Sequence, residues 1–133
     1  MDNPKQTQEA PEGANSTPQF APQDVEKNKA MAILAYFGIL VLIPLLSAKD
    51  SKFARFHTNQ GLILCIAAIL YSVLYTVLSG IIIAISWRLA FLVSLIGLVG
   101  LVFVVLFIIG IINAANGQAK ELPVIGKYKL LKL

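Results

Sequence analysis

Charged side chains fall along this chain in blocks, and long apolar runs lie between them. No Asp, Glu, Lys or Arg occurs over residues 30–48, 56–87 or 89–119. A helix needs only about 20 apolar residues to cross the hydrocarbon core of a bilayer. The pattern therefore predicts an all-α integral membrane protein with three transmembrane helices at about 30–48, 61–86 and 89–112, inside a domain of residues 24–117. Residues 1–23 have prolines at 4, 11, 18 and 22, many amides and little to bury, which predicts a disordered N-terminal tail. This tail lacks the basic start and early apolar core of a secretory signal. Residues 118–133 form a basic C-terminal tail.

Each apolar run has internal detail. Asp24 is a plausible N-cap for a first helix running to about Ser47, with Glu26 favoured by the positive end of the helix dipole. Pro44 lies inside this helix and removes a backbone donor, predicting a kink that either is merely tolerated or serves as a hinge. In the second helix Ala68, Ser72, Thr76, Gly80 and Ala84 recur every fourth residue. Five small side chains so spaced form a ridge along which another helix can approach closely, the way helices associate in lipid. Its partner is either another helix of this chain or a second molecule. Trp87 and Arg88 mark a membrane interface between the second and third helices. In the third helix, Ser94, Gly97 and Gly100 form a second small face, and Gly117 suits the left-handed turn that closes a helix.

The stretch KFARFHTNQGLIL, residues 52–64, leads into the second helix. Asp50 or Ser51 is placed to cap it, and its aromatic and basic residues read as an interfacial segment. His57, Asn59 and Gln60 then stand where the hydrocarbon begins, where polar groups are costly unless hydrogen-bonded. Two readings stay open. This polar cluster either satisfies headgroups, water or neighbouring helix ends, or it lines a polar opening between helices.

Composition agrees with the membrane class: 57% of the 133 residues are hydrophobic and 14% charged. The net charge of +4 matters less than its placement. With three spans, Lys49, Lys52, Arg55, Lys120, Lys127, Lys129 and Lys132 share one side, and Lys27, Lys29 and Arg88 share the other. The positive-inside rule then predicts an external N-terminus and a cytoplasmic C-terminus in a bacterial plasma membrane. Lys49, Lys52, Arg55, Lys127, Lys129 and Lys132 are candidate contacts to anionic lipid headgroups, and nothing in their placement suggests nucleic acid. The C-terminal KYKLLKL is either such an anchor or a topology signal alone.

Catalysis finds little support. A single histidine makes no metal site, no Ser or Cys has a paired base, and the spans hold no carboxylate. Cys65 has no second thiol with which to pair, and no glycine-rich phosphate loop is present. No enzyme activity, metal or cofactor is expected.

The segments LAYFGILVLIPLL, SKFARFHTNQGLIL and NAANGQAKELPVIGKYKLL, covering about residues 28–130, resemble a family of small bacterial multipass proteins of unknown function. That family is distantly similar to the Tic-type import component of the chloroplast inner envelope. The resemblance implies an all-helical membrane domain with a cytoplasmic first loop. Two functions are then in view: an accessory or scaffold subunit that packs against itself or a larger membrane complex through the 68–84 ridge, and a channel or transporter subunit with a polar path at His57, Asn59 and Gln60. The apolar third helix favours the first, because conduits need polar residues on more than one span.

Overall fold

The computed structural model describes residues 20–131, and within them every regular element is helical. In order these are α1 (Pro22–Leu34), a 3-10 turn (Gly38–Val41), α2 (Leu42–Ser47), α3 (Lys52–Ile85), a second 3-10 turn (Trp87–Leu89), α4 (Ala90–Leu98) and α5 (Gly100–Ala115). Two helical stretches, Lys52–Ile85 and Trp87–Ala115, are long and apolar enough to cross a membrane. The N-terminal tail up to residue 19 and Lys132 lie outside the described residues.

The three-helix expectation is corrected to two because the first apolar run is not one helix. At its centre the amides of Tyr36 and Phe37 reach back three residues, to the carbonyls of Ile33 and Leu34, and Gly38 then takes φ +58°. That left-handed conformation is one a side-chain-bearing residue rarely adopts, so Gly38 is where the chain can reverse. Pro44 does not mark the bend. It is the third residue of α2, in the first turn, where a missing N–H leaves no intrahelical bond unmade. Nor does Asp24 cap its own helix: α1 begins at Pro22, with Ala21 as N-cap.

After the turn the chain goes back the way it came. Asp24 meets Phe53 at the start of α3, and the carbonyl of Ala35 lies against Gly61 two turns further along it. Ser47, Ala48 and Asp50 then return beside Gln23, Asp24 and Asn28 around a polar cleft of about 370 Å³. Residues 22–48 are thus a helical hairpin laid along the first part of α3. Both of its ends sit at the same end of the molecule as the start of α3, the end of α5 and residues 118–131.

That shared end, called the rim below, holds the core. Ala32, Tyr36, Phe53, Leu64, Leu106, Ala114 and Leu122 form one buried cluster there. Gly110 gives Tyr36 its place, since a Cβ at 110 would run into the ring. Beyond the hairpin turn, which borders α3 as far as about Ala68, only α3 and α4–α5 continue, and large apolar side chains such as Leu70, Val73, Phe91 and Leu98 point outward. A predominantly apolar surface of this kind suits lipid and not water.

The third predicted helix also has a break, at Val99. Tyr71 of α3 donates its hydroxyl to the Ile96 carbonyl at 2.7 Å, and Val99 N–H bonds the same carbonyl at 3.1 Å. A side chain inserted into the helical ladder is a known cause of such a break.

Candidate functional site

The rim is built on the first turns of α3. Ser51 caps this helix, its hydroxyl accepting from the Ala54 N–H at 3.0 Å, which settles the choice between Asp50 and Ser51. A second cap comes from a different element: the Asp24 carboxylate accepts from the Phe53 N–H at 3.1 Å and from the Asn28 amide at 2.9 Å. Burial works to raise the Asp24 pKa, but hydrogen bonds from Ser51, Phe53, Asn28 and Lys52 outweigh it and hold the group below its ordinary 3.8.

Over the next two turns His57, Thr58, Asn59 and Gln60 are all buried, between 0 and 2% exposed. Thr58 returns its hydroxyl to the Ala54 carbonyl at 2.7 Å. The other three reach across to the C-terminal segment. His57 Nε2 lies 3.0 Å from the Gln118 carbonyl, and its Nδ1 lies 2.9 Å from the Tyr36 hydroxyl. A carbonyl only accepts, so Nε2 carries a proton, and a neutral ring then takes the Tyr36 proton at Nδ1. Phe53 and Phe56 close on the imidazole edge-on at 4.8 and 5.3 Å.

Gln60 holds one turn of backbone at both ends. Its Nε2 donates to the Gly126 carbonyl and its Oε1 accepts from the Leu122 N–H, each at 3.0 Å. Asn59 does the same further along: Nδ2 donates to the Tyr128 carbonyl at 3.0 Å, and Oδ1 accepts from Leu130 at 2.6 Å and Leu131 at 3.0 Å. Every one of these contacts is to main chain. The cluster therefore sets the path of residues 118–131, a strap across the rim whose Leu122 and Ala119 are buried while Lys127, Tyr128 and Lys129 face outward.

The strap carries one unusual residue. Val124, in the LPVIG stretch, has φ +68°, and the Ile125 N–H bonds the Pro123 carbonyl at 2.7 Å around it, a γ-turn that is rare for a β-branched residue. Val124 is 81% exposed.

The structure brings His57, Asn59 and Gln60 together with the strap, not with a polar opening. Lys49, Lys52, Lys127 and Lys129 are exposed on the same rim, and Arg55 is half-buried with its guanidinium near the Lys49 carbonyl at 3.5 Å. The five-residue ridge lies apart from this site. Ala68 is half-buried beside an apolar groove of about 750 Å³ floored by Phe37, Leu64, Phe103 and Phe107, whereas Ser72, Thr76, Gly80 and Ala84 are exposed. The Ser72 and Thr76 hydroxyls bond back to the carbonyls of Ala68 and Ser72, each at 2.8 Å, so the ridge presents a small surface with its hydroxyls satisfied. Packing of α3 within the molecule falls to a neighbouring face, where Tyr75 and Tyr71 lie over Gly97 and Gly100. Two of the three residues of the second small face predicted from sequence, Gly97 and Gly100, are thus used, but against tyrosines, and Ser94 is exposed.

Sequence reasoning missed Tyr36, the cross-element cap from Asp24, and Gly61 and Gly110 as contact points. A glycine directly after the polar run HTNQ was the available sign that a backbone comes close at Gly61. Among the described residues, no group of three or more His, Cys, Asp or Glu gathers to hold a metal ion.

Comparison with known proteins gives these features a setting. A family model described as the magnetosome magnetite crystal formation protein family matches residues 27–129, which spans most of the hairpin, both long helical stretches and most of the strap. The magnetosome proteins MamF of Paramagnetospirillum magneticum and of Magnetospirillum gryphiswaldense are each 45% identical to this chain over 40 residues. That stretch is 30% of this chain and 36% of each relative's length. These matches are to magnetosome proteins and not to plastid import components. No solved structure matches the chain.

Proposed function

From the premise that this chain belongs to the magnetosome magnetite crystal formation family, we propose that it is a bacterial membrane accessory protein that works by assembly. It packs through the 68–84 ridge against a second copy or another membrane protein. The family relatives are magnetosome proteins, which supports a place in a magnetosome-type membrane. No catalytic step is assigned to it.

The observation that carries this reading is that Ser72, Thr76, Gly80 and Ala84 face out of the monomer on a helix with a close-approach surface. In lipid, where hiding apolar surface gains little, small residues left uncovered are the surfaces on which helices meet. The channel reading loses its support, because the side chains expected to line a polar path are all bonded to the strap or the hairpin.

Crosslinking in native membranes tests the proposal. The wild-type chain is expected to give a discrete adduct, and Gly80→Leu, which fills the ridge, is expected to reduce it at least tenfold while leaving the monomer folded. An adduct yield unchanged by Gly80→Leu would overturn the reading.

A further inference from the structure

A three-span chain puts its two ends on opposite sides of the membrane, and the hairpin changes that. Both arms are too short to cross: 13 residues in α1 and six in α2 rise about 20 and 9 Å, against a hydrocarbon core of about 30 Å. Phe37 and Gly38 of the turn between them border the same groove as Leu64, Cys65 and Ala68, about 18–24 Å along α3 from Lys52 and far short of its end at Ile85. Past that depth the molecule consists of α3 and α4–α5 alone.

The hairpin's surface shows that its tip is in lipid. Ile39, Leu42 and Leu46 point outward at 77, 45 and 66% exposure, an apolar face that water would not accept. Non-helical backbone at membrane depth must be covered by protein, and on its inner side this turn is: Ala35 is fully buried against Gly61, and Tyr36 is 3% exposed under Gly110 and His57. At the other end of the hairpin, Asp24, Lys27, Asn28 and Asp50 border a polar cleft, as groups at headgroup level should.

We infer that residues 22–48 enter and leave the bilayer on one side as a re-entrant hairpin, so that the segment before α1, the 48–51 loop and the strap share the cytoplasmic face. Only the turn from Ser86 to Leu89 reaches the other face. Of the nine Lys and Arg among the described residues, Arg88 alone lies there and eight lie on the rim side, so the positive-inside rule makes the rim cytoplasmic. The four described acids, Asp24, Glu26, Asp50 and Glu121, share that face as well.

Single cysteines in a Cys65→Ala background, with the full chain expressed in the plasma membrane of a bacterial host, test this directly. Glu26→Cys, Asp50→Cys, Lys129→Cys and Arg88→Cys are treated with a membrane-impermeant maleimide on right-side-out spheroplasts, then after lysis. Arg88→Cys is expected to label on intact spheroplasts, and the other three only after lysis. Labelling of Glu26→Cys from outside while Asp50→Cys stays protected would restore a first span and overturn the re-entrant hairpin. Labelling of all three rim positions from outside with Arg88→Cys protected would overturn the cytoplasmic assignment. Green fluorescent protein fused ahead of residue 1 gives a second readout, because it fluoresces only when it folds in the cytoplasm. Bright cells are expected, and a dark, stably expressed fusion would overturn the inference.

Discussion

At Gln60 one side-chain amide satisfies two backbone groups 62 and 66 residues away, and it does so at 2% exposure. Replacing it with Leu leaves the Leu122 N–H and the Gly126 carbonyl without their partner, at a cost of about 1–3 kcal/mol for each group that stays buried. Gln60→Leu is therefore expected to lower hydrogen-exchange protection over residues 118–131 by tenfold or more while leaving the middle of α3 protected. High salt is expected to leave that protection intact, since hydrogen bonds and not lysine–headgroup attraction hold the strap; loss of protection in salt alone would contradict this. Asp24 yields a pH prediction. Its folded pKa is lower than 3.8, so the stability it contributes is fully present above 3.8 and is lost as the pH falls through the lower folded value. Melting temperatures of wild type and Asp24→Asn in detergent should differ near neutrality and converge in strong acid.

The hairpin and α3 depend on a glycine at the contact, and the ridge on a glycine without one. A Cβ at Gly61 would overlap the Ala35 carbonyl, a backbone group that cannot swing aside. A Cβ at Gly80 would meet nothing within 4 Å. Gly61→Ala is thus expected to destabilise the protein by about 1–3 kcal/mol or more, by forcing α1 off α3, whereas Gly80→Ala should be neutral or slightly stabilising. Thermal unfolding of the two variants in the same detergent checks the contrast. Equal losses would mean that α1 and α3 are not in close contact. The element scale also explains why the first run reads as a span: length and hydropathy register how much of a segment is apolar, not whether its middle reverses direction.

At the scale of the whole molecule, the protein has a packed rim and a thin two-helix stem. The rim contains the buried core, the capped start of α3, the clamped strap and, among the described residues, every charged side chain but Arg88. The stem beyond the hairpin turn exposes apolar side chains on most sides and needs lipid or another helix to cover them. This division separates two features that are adjacent in sequence. His57, Asn59 and Gln60 hold the molecule together at one end, and the ridge, eight residues further on at its start, remains free for assembly.

Much of this was legible from residue order alone. Uninterrupted apolar runs dictate a helical membrane protein because a backbone in hydrocarbon has to satisfy its own hydrogen bonds, and the spacing of Ala68, Ser72, Thr76, Gly80 and Ala84 reveals a face before any coordinates do. The need for His57, Asn59 and Gln60 to find partners was equally clear, since polar groups are costly to bury unpaired. Who those partners are was decided only in three dimensions, because Leu122, Gly126 and Tyr128 offer main-chain groups that every residue possesses and no pattern distinguishes. The same holds for the number of spans. A single left-handed Gly38 turns the first run back on itself, and whether a glycine uses its conformational freedom depends on what the two arms pack against, here Gly61, Gly110 and the start of α3.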